Sequence, residues 1–142
     1  MKISGVHTVP QQPAVAYQMM QDPGVLARAI PGCESLERVG ENEYRMKMRF
    51  ALASLSGAFE GKVRIIDQRP PQSFRLVVEG SGRIGFVKGD GVLEFRAASN
   101  GTEISYEGDA HVGGALAAVG QRLVDGTTKM LLKRFFEALS EA

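Results

Sequence analysis

The sequence predicts an α+β domain in which a curved antiparallel sheet wraps around one long C-terminal helix. Two observations carry this prediction. Several segments between residues 43 and 112 alternate apolar and polar side chains with a period of two, as half-buried strands do. After Gly113-Gly114 the apolar residues take the i, i+3, i+4, i+7 spacing of a helix and keep it to the end of the chain. A chain of 142 residues corresponds to one such domain, spanning 1–142.

The first thirty residues predict one strand and two short helices. The strand covers 2–9 and ends at Pro10. A helix over 13–21 starts with Pro13, whose missing N–H costs nothing at the first helical position. Asp22 closes it and caps a second helix over 24–29. The segment 30–33, Ile-Pro-Gly-Cys, then predicts a turn.

The middle of the chain predicts the strands of the sheet. The clearest strand is 43–52, and a second follows over 59–65, with a hairpin turn at Ser56-Gly57 between them. A third follows the break at 69–72. Ile84 and Phe86 have even numbers whereas Leu93 and Phe95 have odd ones, so a β-bulge near 88–91 is needed to place all four inside. The final strand follows a turn at 99–102.

The long helix is expected to run unbroken from the Gly-Gly pair for about 25 residues, roughly 38 Å. The apolar residues after the glycines fall at i, i+3, i+4, i+7 spacing. The inward positions predicted on this basis are Leu116, Val119, Gly120, Leu123, Thr127, Met130, Leu131, Arg134, Phe135 and Ala138.

Composition and charge exclude several classes of function. The 17 Lys+Arg and 16 Asp+Glu residues give a net charge of +1, without the dense basic face that a nucleic-acid partner requires. Cys33 is the only cysteine, so neither an intramolecular disulfide nor a cysteine-based zinc site is expected. No segment has the apolar core of a signal peptide or the ~18 apolar residues of a membrane span. We therefore expect a soluble, cytoplasmic protein.

The ionisable side chains predict no catalytic group. His7 and His111 are assigned to outward strand positions, where solvated histidines are expected, and Asp109 shares the outward face with His111. Cys33 is expected to be structural, because the adjacent Glu34 would raise the pKa of its thiol. No catalytic and no metal-binding residue is therefore assigned.

Five short motifs connect the chain with a known family. They are Val9-Pro10, Asp22-Pro23, Ile30-Pro31-Gly32-Cys33-Glu34-Ser35-Leu36, Gly85-Phe86 and Val112-Gly113-Gly114-Ala115-Leu116. These motifs span essentially the whole chain and resemble the CoxG family of carbon monoxide dehydrogenase accessory proteins, within the SRPBCC/START-like helix-grip superfamily. The resemblance implies the helix-grip fold, also called START/Bet v 1-like.

The resemblance also implies an accessory protein and not a catalyst. Family members accompany molybdenum-containing carbon monoxide dehydrogenases and related hydroxylases, and they are linked to membrane attachment and to the lipophilic electron acceptor, a quinone. A molybdenum hydroxylase partner, a quinone ligand and peripheral contact with the inner face of the cell membrane are therefore implied. Many members continue past the long helix into an apolar or amphipathic tail, whereas this sequence ends at Ser140-Glu141-Ala142.

The predicted ligand site is an apolar cavity between the sheet and the helix. Small residues on the strands and the helix, such as Gly61, Gly80 and Gly126, would leave volume opposite larger side chains. Tyr106 or Thr127 would offer a polar group to a ligand carbonyl. For each single residue, packing in a filled core is the alternative role. The predicted lining consists of Met46, Met48, Phe50, Phe59, Leu76, Val78, Phe86, Phe95, Tyr106, Leu116, Val119, Gly120, Leu123, Thr127, Met130 and Leu131.

Three functions remain open at this point. The first is a carrier that binds a quinone or a similar lipid. The second is an enzyme of the polyketide cyclase or hydratase kind, which would need an ionisable group inside the pocket, with Lys88 and Asp90 as the candidates. The third is a recruitment or assembly factor, which exposed apolar residues around Ile30-Pro31 or Leu55 would favour.

Overall fold

The computed structural model describes all 142 residues and has the predicted α+β architecture. Seven antiparallel strands form one sheet in the order β1-β7-β6-β5-β4-β3-β2, and two short helices follow the first strand. The elements are β1 (Lys2–Val9), α1 (Pro13–Met19), α2 (Pro23–Ala29), β2 (Cys33–Gly40), β3 (Glu43–Leu52), β4 (Leu55–Arg69), β5 (Ser73–Gly82), β6 (Gly85–Ala98), β7 (Gly101–Gly113), α3 (Ala115–Ala118) and α4 (Gln121–Ser140).

The two short helices start as the sequence predicts. Pro13 occupies the first turn of α1. The carboxylate of Asp22 caps α2 by accepting hydrogen bonds from the backbone N–H groups of Gly24 and Val25, at 2.8 and 3.2 Å. These bonds satisfy two donors that have no partner inside the helix, which fixes where α2 begins.

Strand β2 was not predicted, and it forms one edge of the sheet. Its sequence, CESLERVG, places Leu36 opposite Met46 of β3, while its other large apolar residue, Val39, is exposed. The pairing with β3 is interrupted at Cys33/Ser35 and again at Arg38/Gly40. An edge strand with two register shifts leaves no period-two pattern, so the sequence shows only the preceding turn.

The hairpin turn between β3 and β4 lies at Ala53-Ser54, three residues before the predicted position. Ser56 and Gly57 belong to β4, where they pair with Ala51 and Phe50 of β3. Ala53 takes a left-handed backbone conformation with φ of 57°. The turn prediction was wrong because Ser-Gly has strong turn propensity, whereas the observed turn uses an alanine that lacks it.

Strand β6 has no bulge, and this changes the position of Phe86. The pairing of β6 with β5 and β7 runs without a register shift from Gly85 to Ala98. Odd-numbered residues such as Leu93 and Phe95 point inward throughout, so Phe86 points to the convex face and is 42% exposed. The predicted bulge was wrong, because the apparent change of parity comes from one outward phenylalanine.

The C-terminal helix is broken at Gly120, and the break sets its rotation. The backbone of Gly120 has φ of 102°, which separates the short α3 from the 20-residue α4. Leu116 on α3 is buried as predicted, but it does not set the phase of α4. The buried face of α4 carries Val124, Phe136 and Leu139. This face is rotated from the predicted one by about 100°, the angle between successive residues of a helix.

The apolar interior consists of two clusters of buried residues. The larger one joins α1, β1, strands β3 to β7 and the C-terminal half of α4. The smaller one lies at the opposite end of α4, where Leu52, Phe59, Ile84, Leu116 and Val124 pack together. Between these two clusters α4 spans the concave face of the sheet.

Candidate functional site: an apolar cavity under the long helix

A cavity of about 260 Å³ lies between the concave face of the sheet and α4. Seventeen of its 22 lining residues are hydrophobic. They come from the end of α1, from α2 and α4 and from every strand of the sheet, so closing this cavity requires the whole fold. The lining is Ile3, Met20, Leu26, Ile30, Leu36, Tyr44, Met46, Val63, Ile65, Leu76, Val78, Gly89, Asp90, Gly91, Val92, Leu93, Tyr106, Glu107, Gly108, Leu132, Phe135 and Phe136.

The cavity exists because the floor of the sheet carries glycines where large side chains would otherwise stand. Gly91 of β6 pairs directly with Gly108 of β7, and Gly89 lies two residues before Gly91 on the same strand. All three positions face inward. A Cβ atom built on Gly89 would meet only one atom within 4 Å, at 3.8 Å, so the space above it is open. The helix makes its close approaches to α2 and β1 and stands away from the central strands.

Four of the predicted lining residues border the cavity. Met46, Leu76, Val78 and Tyr106 lie on β3, β5 and β7, and strand pairing brings them to one side of the sheet.

A second group of predicted residues lies inside the protein but away from the cavity. Phe59 and Leu116 are buried in the smaller cluster, and Met48, Phe50 and Val119 pack against it. Phe95 belongs to the larger cluster, beside Tyr17 and Phe74. These side chains fill the two ends of the domain.

The remaining predicted residues face away from the cavity. Gly120, Leu123, Thr127 and Met130 line an open surface on the outer side of α4, and Leu131 is half-buried next to them. Phe86 lies on the convex face of the sheet. The prediction for the helix residues was wrong because the break at Gly120 rotates α4. The prediction for Phe86 was wrong because β6 has no bulge.

Most of the helix side of the cavity was not predicted from the sequence. Leu132, Phe135 and Phe136 provide this wall, and only Phe135 belonged to the predicted inward series. The α2–β2 side, with Leu26, Ile30 and Leu36, was missed because β2 was not recognised. The apolar residues at 124, 132, 135, 136 and 139 have helical spacing. This spacing would have predicted the helix side of the cavity if the helix had been taken to begin after Gly120.

Tyr106 supplies a polar group at the edge of the cavity. Its ring leans across Gly5 of the edge strand β1, where any side chain would collide with it. Tyr17 and Tyr44 bond to Gln68 and to the backbone oxygen of Gln21 through their hydroxyls, whereas the Tyr106 hydroxyl has no such partner. Burial raises the pKa of Tyr106, so the hydroxyl keeps its proton and can donate a hydrogen bond to an acceptor.

His7 lies on the concave face, not on the outward face that the sequence predicted. Its imidazole stacks on Phe136 of α4, with ring centroids 4.3 Å apart and planes 12° from parallel, and it is parallel to Tyr106 at 5.9 Å. The inward residues of β1 are Ile3, Gly5, His7 and Val9, and Val6 points outward with 58% exposure. The apolar outward Val6 is what misled the assignment of faces.

We expect the stability of the protein to fall as the pH drops below 6.5, because of His7. Burial lowers the pKa of His7 from its ordinary value of 6.5, and the negative charge of Glu137 opposes this shift only in part. The unfolded chain therefore takes up a proton at a higher pH than the folded one, which favours unfolding on acidification. Urea unfolding on both sides of pH 6.5 should show a weaker dependence in His7→Phe. The exposed His111→Gln variant should retain the wild-type dependence, and a wild-type slope in His7→Phe would contradict the assignment.

Other reactive side chains form no site. Burial raises the pKa of the Cys33 thiol, and Glu34 raises it further, so this thiol is not an activated nucleophile. Lys88 and Asp90 point to the convex face, where Asp90 is bonded to Arg75 at 2.8 Å. No group of three or more His, Cys, Asp or Glu side chains is arranged to hold a metal ion. None of the helices is long and apolar enough to cross a membrane.

A sheet wrapped against a long C-terminal helix, with an apolar cavity between them, defines a protein of the helix-grip class. The chain belongs to the CoxG family of carbon monoxide dehydrogenase subunits, whose model matches residues 5–142. Membership of this family indicates an accessory role for a carbon monoxide dehydrogenase. No curated protein matches the sequence significantly.

Solved structures share this fold over nearly the whole chain. A conserved protein from Geobacillus kaustophilus is similar with a TM-score of 0.93 and 30% identity, covering 99% of this chain and 93% of that one. Protein CV1439 from Chromobacterium violaceum has a TM-score of 0.74 and 16% identity, covering 99% and 96%. The di-domain ARO/CYC BexL from the BE-7585A biosynthetic pathway has a TM-score of 0.64 and 14% identity, covering 99% of this chain and 49% of that one.

Proposed function

We propose that this protein holds a respiratory quinone in its cavity and thereby serves a molybdenum hydroxylase of the carbon monoxide dehydrogenase type at the membrane. The observation that carries the proposal is the apolar cavity under α4 in a member of a dehydrogenase accessory family. A carbon monoxide dehydrogenase delivers electrons, and a lipophilic acceptor needs a protected apolar site outside the bilayer. The cavity has the lining that such an acceptor requires.

The volume of the cavity limits what can enter it. An apolar cavity of about 150 Å³ is enough to take up benzene. At about 260 Å³, the cavity has room for one substituted ring and a short branch, and not for a long polyprenyl chain. The quinone ring and its first isoprene unit would be inside, and the rest of the chain would leave between the sheet and α4. The side chain of Met46 can adjust to such an occupant.

The polar groups at the cavity fit a carbonyl-bearing ring. Burial raises the pKa of the Tyr106 hydroxyl, which therefore stays protonated. This hydroxyl has no hydrogen-bond partner within the protein, so it can donate a hydrogen bond to one quinone carbonyl. The aromatic ring of Phe135 borders the cavity on the helix side and offers an apolar contact surface. A single donor in an apolar lining orients a ligand and does not by itself catalyse a reaction.

The cyclase or hydratase alternative loses the two residues on which it depended. Lys88 and Asp90 point to the convex face, so their charged groups cannot act on a ligand in the cavity. His7 lies on the concave face and stacks on two residues of the lining, Tyr106 and Phe136. It has no carboxylate hydrogen bond that would tune it as a base, and this favours a non-catalytic role.

A pure recruitment factor is the other alternative, and one experiment separates it from a carrier. The protein should be purified under native conditions from a host that makes quinones, and an organic extract should be analysed by mass spectrometry. We expect a quinone in about one-to-one ratio with the protein. An extract without quinone or other lipid, together with no binding of added quinone, would contradict the carrier proposal and leave the assembly role.

A further inference from the structure

The long helix has a second apolar face, which points away from the sheet. Leu123 and Met130 lie on it two turns apart and are 41% and 42% exposed. Thr127, four residues after Leu123, continues the same line, and the half-buried Val119 borders it across the break at Gly120. We call Leu123, Thr127 and Met130 the outer ridge. A Cβ atom added to neighbouring Gly120 would meet nothing within 4 Å, and Gly126 is equally open, so no other part of the chain covers the ridge.

Positive charge flanks the outer ridge. Arg122, Lys129 and Lys133 form a stripe beside it, at i, i+7 and i+11, and Arg134 follows Met130 by one turn. Lys133 is the one with an ionic partner, Glu137 at 4.0 Å. The four cations are a large local excess in a chain whose net charge is only +1.

The negative charge near the ridge does not neutralise these cations. Two carboxylates on α4 stand against the four cations: Glu137, which pairs with Lys133, and Asp125, which accepts a hydrogen bond from the Gln121 amide at 2.7 Å. The position of Asp125 on α4 is rotated by about 160° from Leu123, toward the sheet. Arg122, Lys129 and Arg134 have no ionic partner and are free to meet an external anionic surface.

An exposed apolar ridge with flanking cations matches the chemistry of an anionic lipid surface. Apolar side chains enter the boundary between headgroups and acyl chains, while Lys and Arg approach the phosphates. A second copy of this chain is a poorer occupant, because it would bring two sets of cations together. We propose that the outer ridge docks the protein on an anionic membrane, with α4 lying along the surface. This proposal rests on the membrane role proposed above and names the surface that performs it.

Docking in this orientation would bring the cavity close to the lipid. Leu132 and Phe136 line the cavity from the opposite side of the same helix. The thickness of one helix, about 10–12 Å with its side chains, would then separate the cavity from the membrane. A lipophilic ligand would have a short path between the two.

Sedimentation with lipid vesicles tests the docking surface. Wild-type protein should bind vesicles of phosphatidylcholine and phosphatidylglycerol, bind pure phosphatidylcholine more weakly, and lose affinity as salt is added. The double variant Leu123→Glu/Met130→Glu should bind the anionic vesicles at least about tenfold more weakly. Each of Arg122→Gln and Lys129→Gln should cost about fivefold.

A matched control uses two exposed valines elsewhere. Val15→Glu/Val39→Glu adds the same two charges at positions that are 50% and 49% exposed, on α1 and β2. This variant should bind more strongly than the ridge variant, and circular dichroism should show all variants folded. Equal losses in both double variants would overturn the proposal, because they would show an effect of net charge alone.

Two further outcomes would overturn the docking surface. One is wild-type protein that does not bind the anionic vesicles. The other is a wild-type dimer, seen by light scattering, that Leu123→Glu/Met130→Glu dissociates, because the ridge would then be a self-interface. Lipid extraction and quinone titration separate this proposal from the carrier: vesicle binding through the ridge by a protein that neither contains nor binds quinone would support docking and contradict the carrier.

Discussion

Val78→Phe should abolish or strongly weaken quinone binding while leaving the fold intact. Val78 points into the cavity from β5, between Val63 and Gly89 on the neighbouring strands. The space above Gly89 is open, so the larger ring can occupy the volume that the ligand needs. We expect at least a tenfold loss of affinity for a short-chain quinone, measured by isothermal titration calorimetry. Filling a cavity commonly raises the free energy of unfolding, here by up to about 1 kcal/mol.

The neighbouring residue provides the control for this prediction. Val77 has the same side chain on the same strand but points to the convex face. Val77→Phe adds an equal volume outside the cavity and should leave the affinity unchanged. Quinone binding by Val78→Phe with wild-type affinity would show that the ligand does not use this cavity.

The strands could be predicted from the sequence wherever one face is buried and the other solvated. In β3 the residues from Tyr44 to Leu52 alternate over the full length of the strand, and the structure places them as predicted. Strand β2 gave no such signal, because an edge strand with two register shifts contacts the core mainly through Leu36. The difference between these two strands is burial, which is what a period of two reports.

The position of the cavity could be predicted only in part. The inward face of a strand follows from its sequence, but the place where an inward residue meets the helix depends on the register of seven strands. Met46 and Met48 are neighbours on the same face of β3, yet Met46 lines the cavity and Met48 packs into the smaller cluster. No local pattern separates these two positions.

The rotation of α4 shows how one residue can change a correct pattern into a wrong assignment. Leu123, Thr127 and Met130 have helical spacing, as do Val124, Leu132 and Phe136, so α4 has two apolar faces. The choice between the faces depends on whether the helix runs through Gly120 or starts after it. Its φ of 102° ends α3, and only the structure shows this break.

Phe74→Ala should be among the most destabilising single substitutions in the protein. Phe74 is 1% exposed and packs edge-on against Tyr17, with centroids 5.5 Å apart, and against Phe95 at 5.6 Å. Removing the ring leaves a void in the larger cluster, because α1 and the sheet hold its other members in place. We expect the free energy of unfolding to fall by about 3–5 kcal/mol, measured by urea denaturation. That is a large share of the stability of a domain of this size.

Phe86→Ala is the matched control, since it makes the same chemical change on the convex face. Phe86 is 42% exposed and lies flat on Gly113 of β7, where any side chain would collide with its ring. Phe86→Ala therefore removes a surface contact and leaves no void in the core, so the free energy of unfolding should fall by less than about 1 kcal/mol. A difference of this size between two phenylalanines would confirm that β6 runs without a bulge. Similar costs for the two variants would place Phe86 in the interior and contradict the register of β6 that orients the whole floor of the cavity.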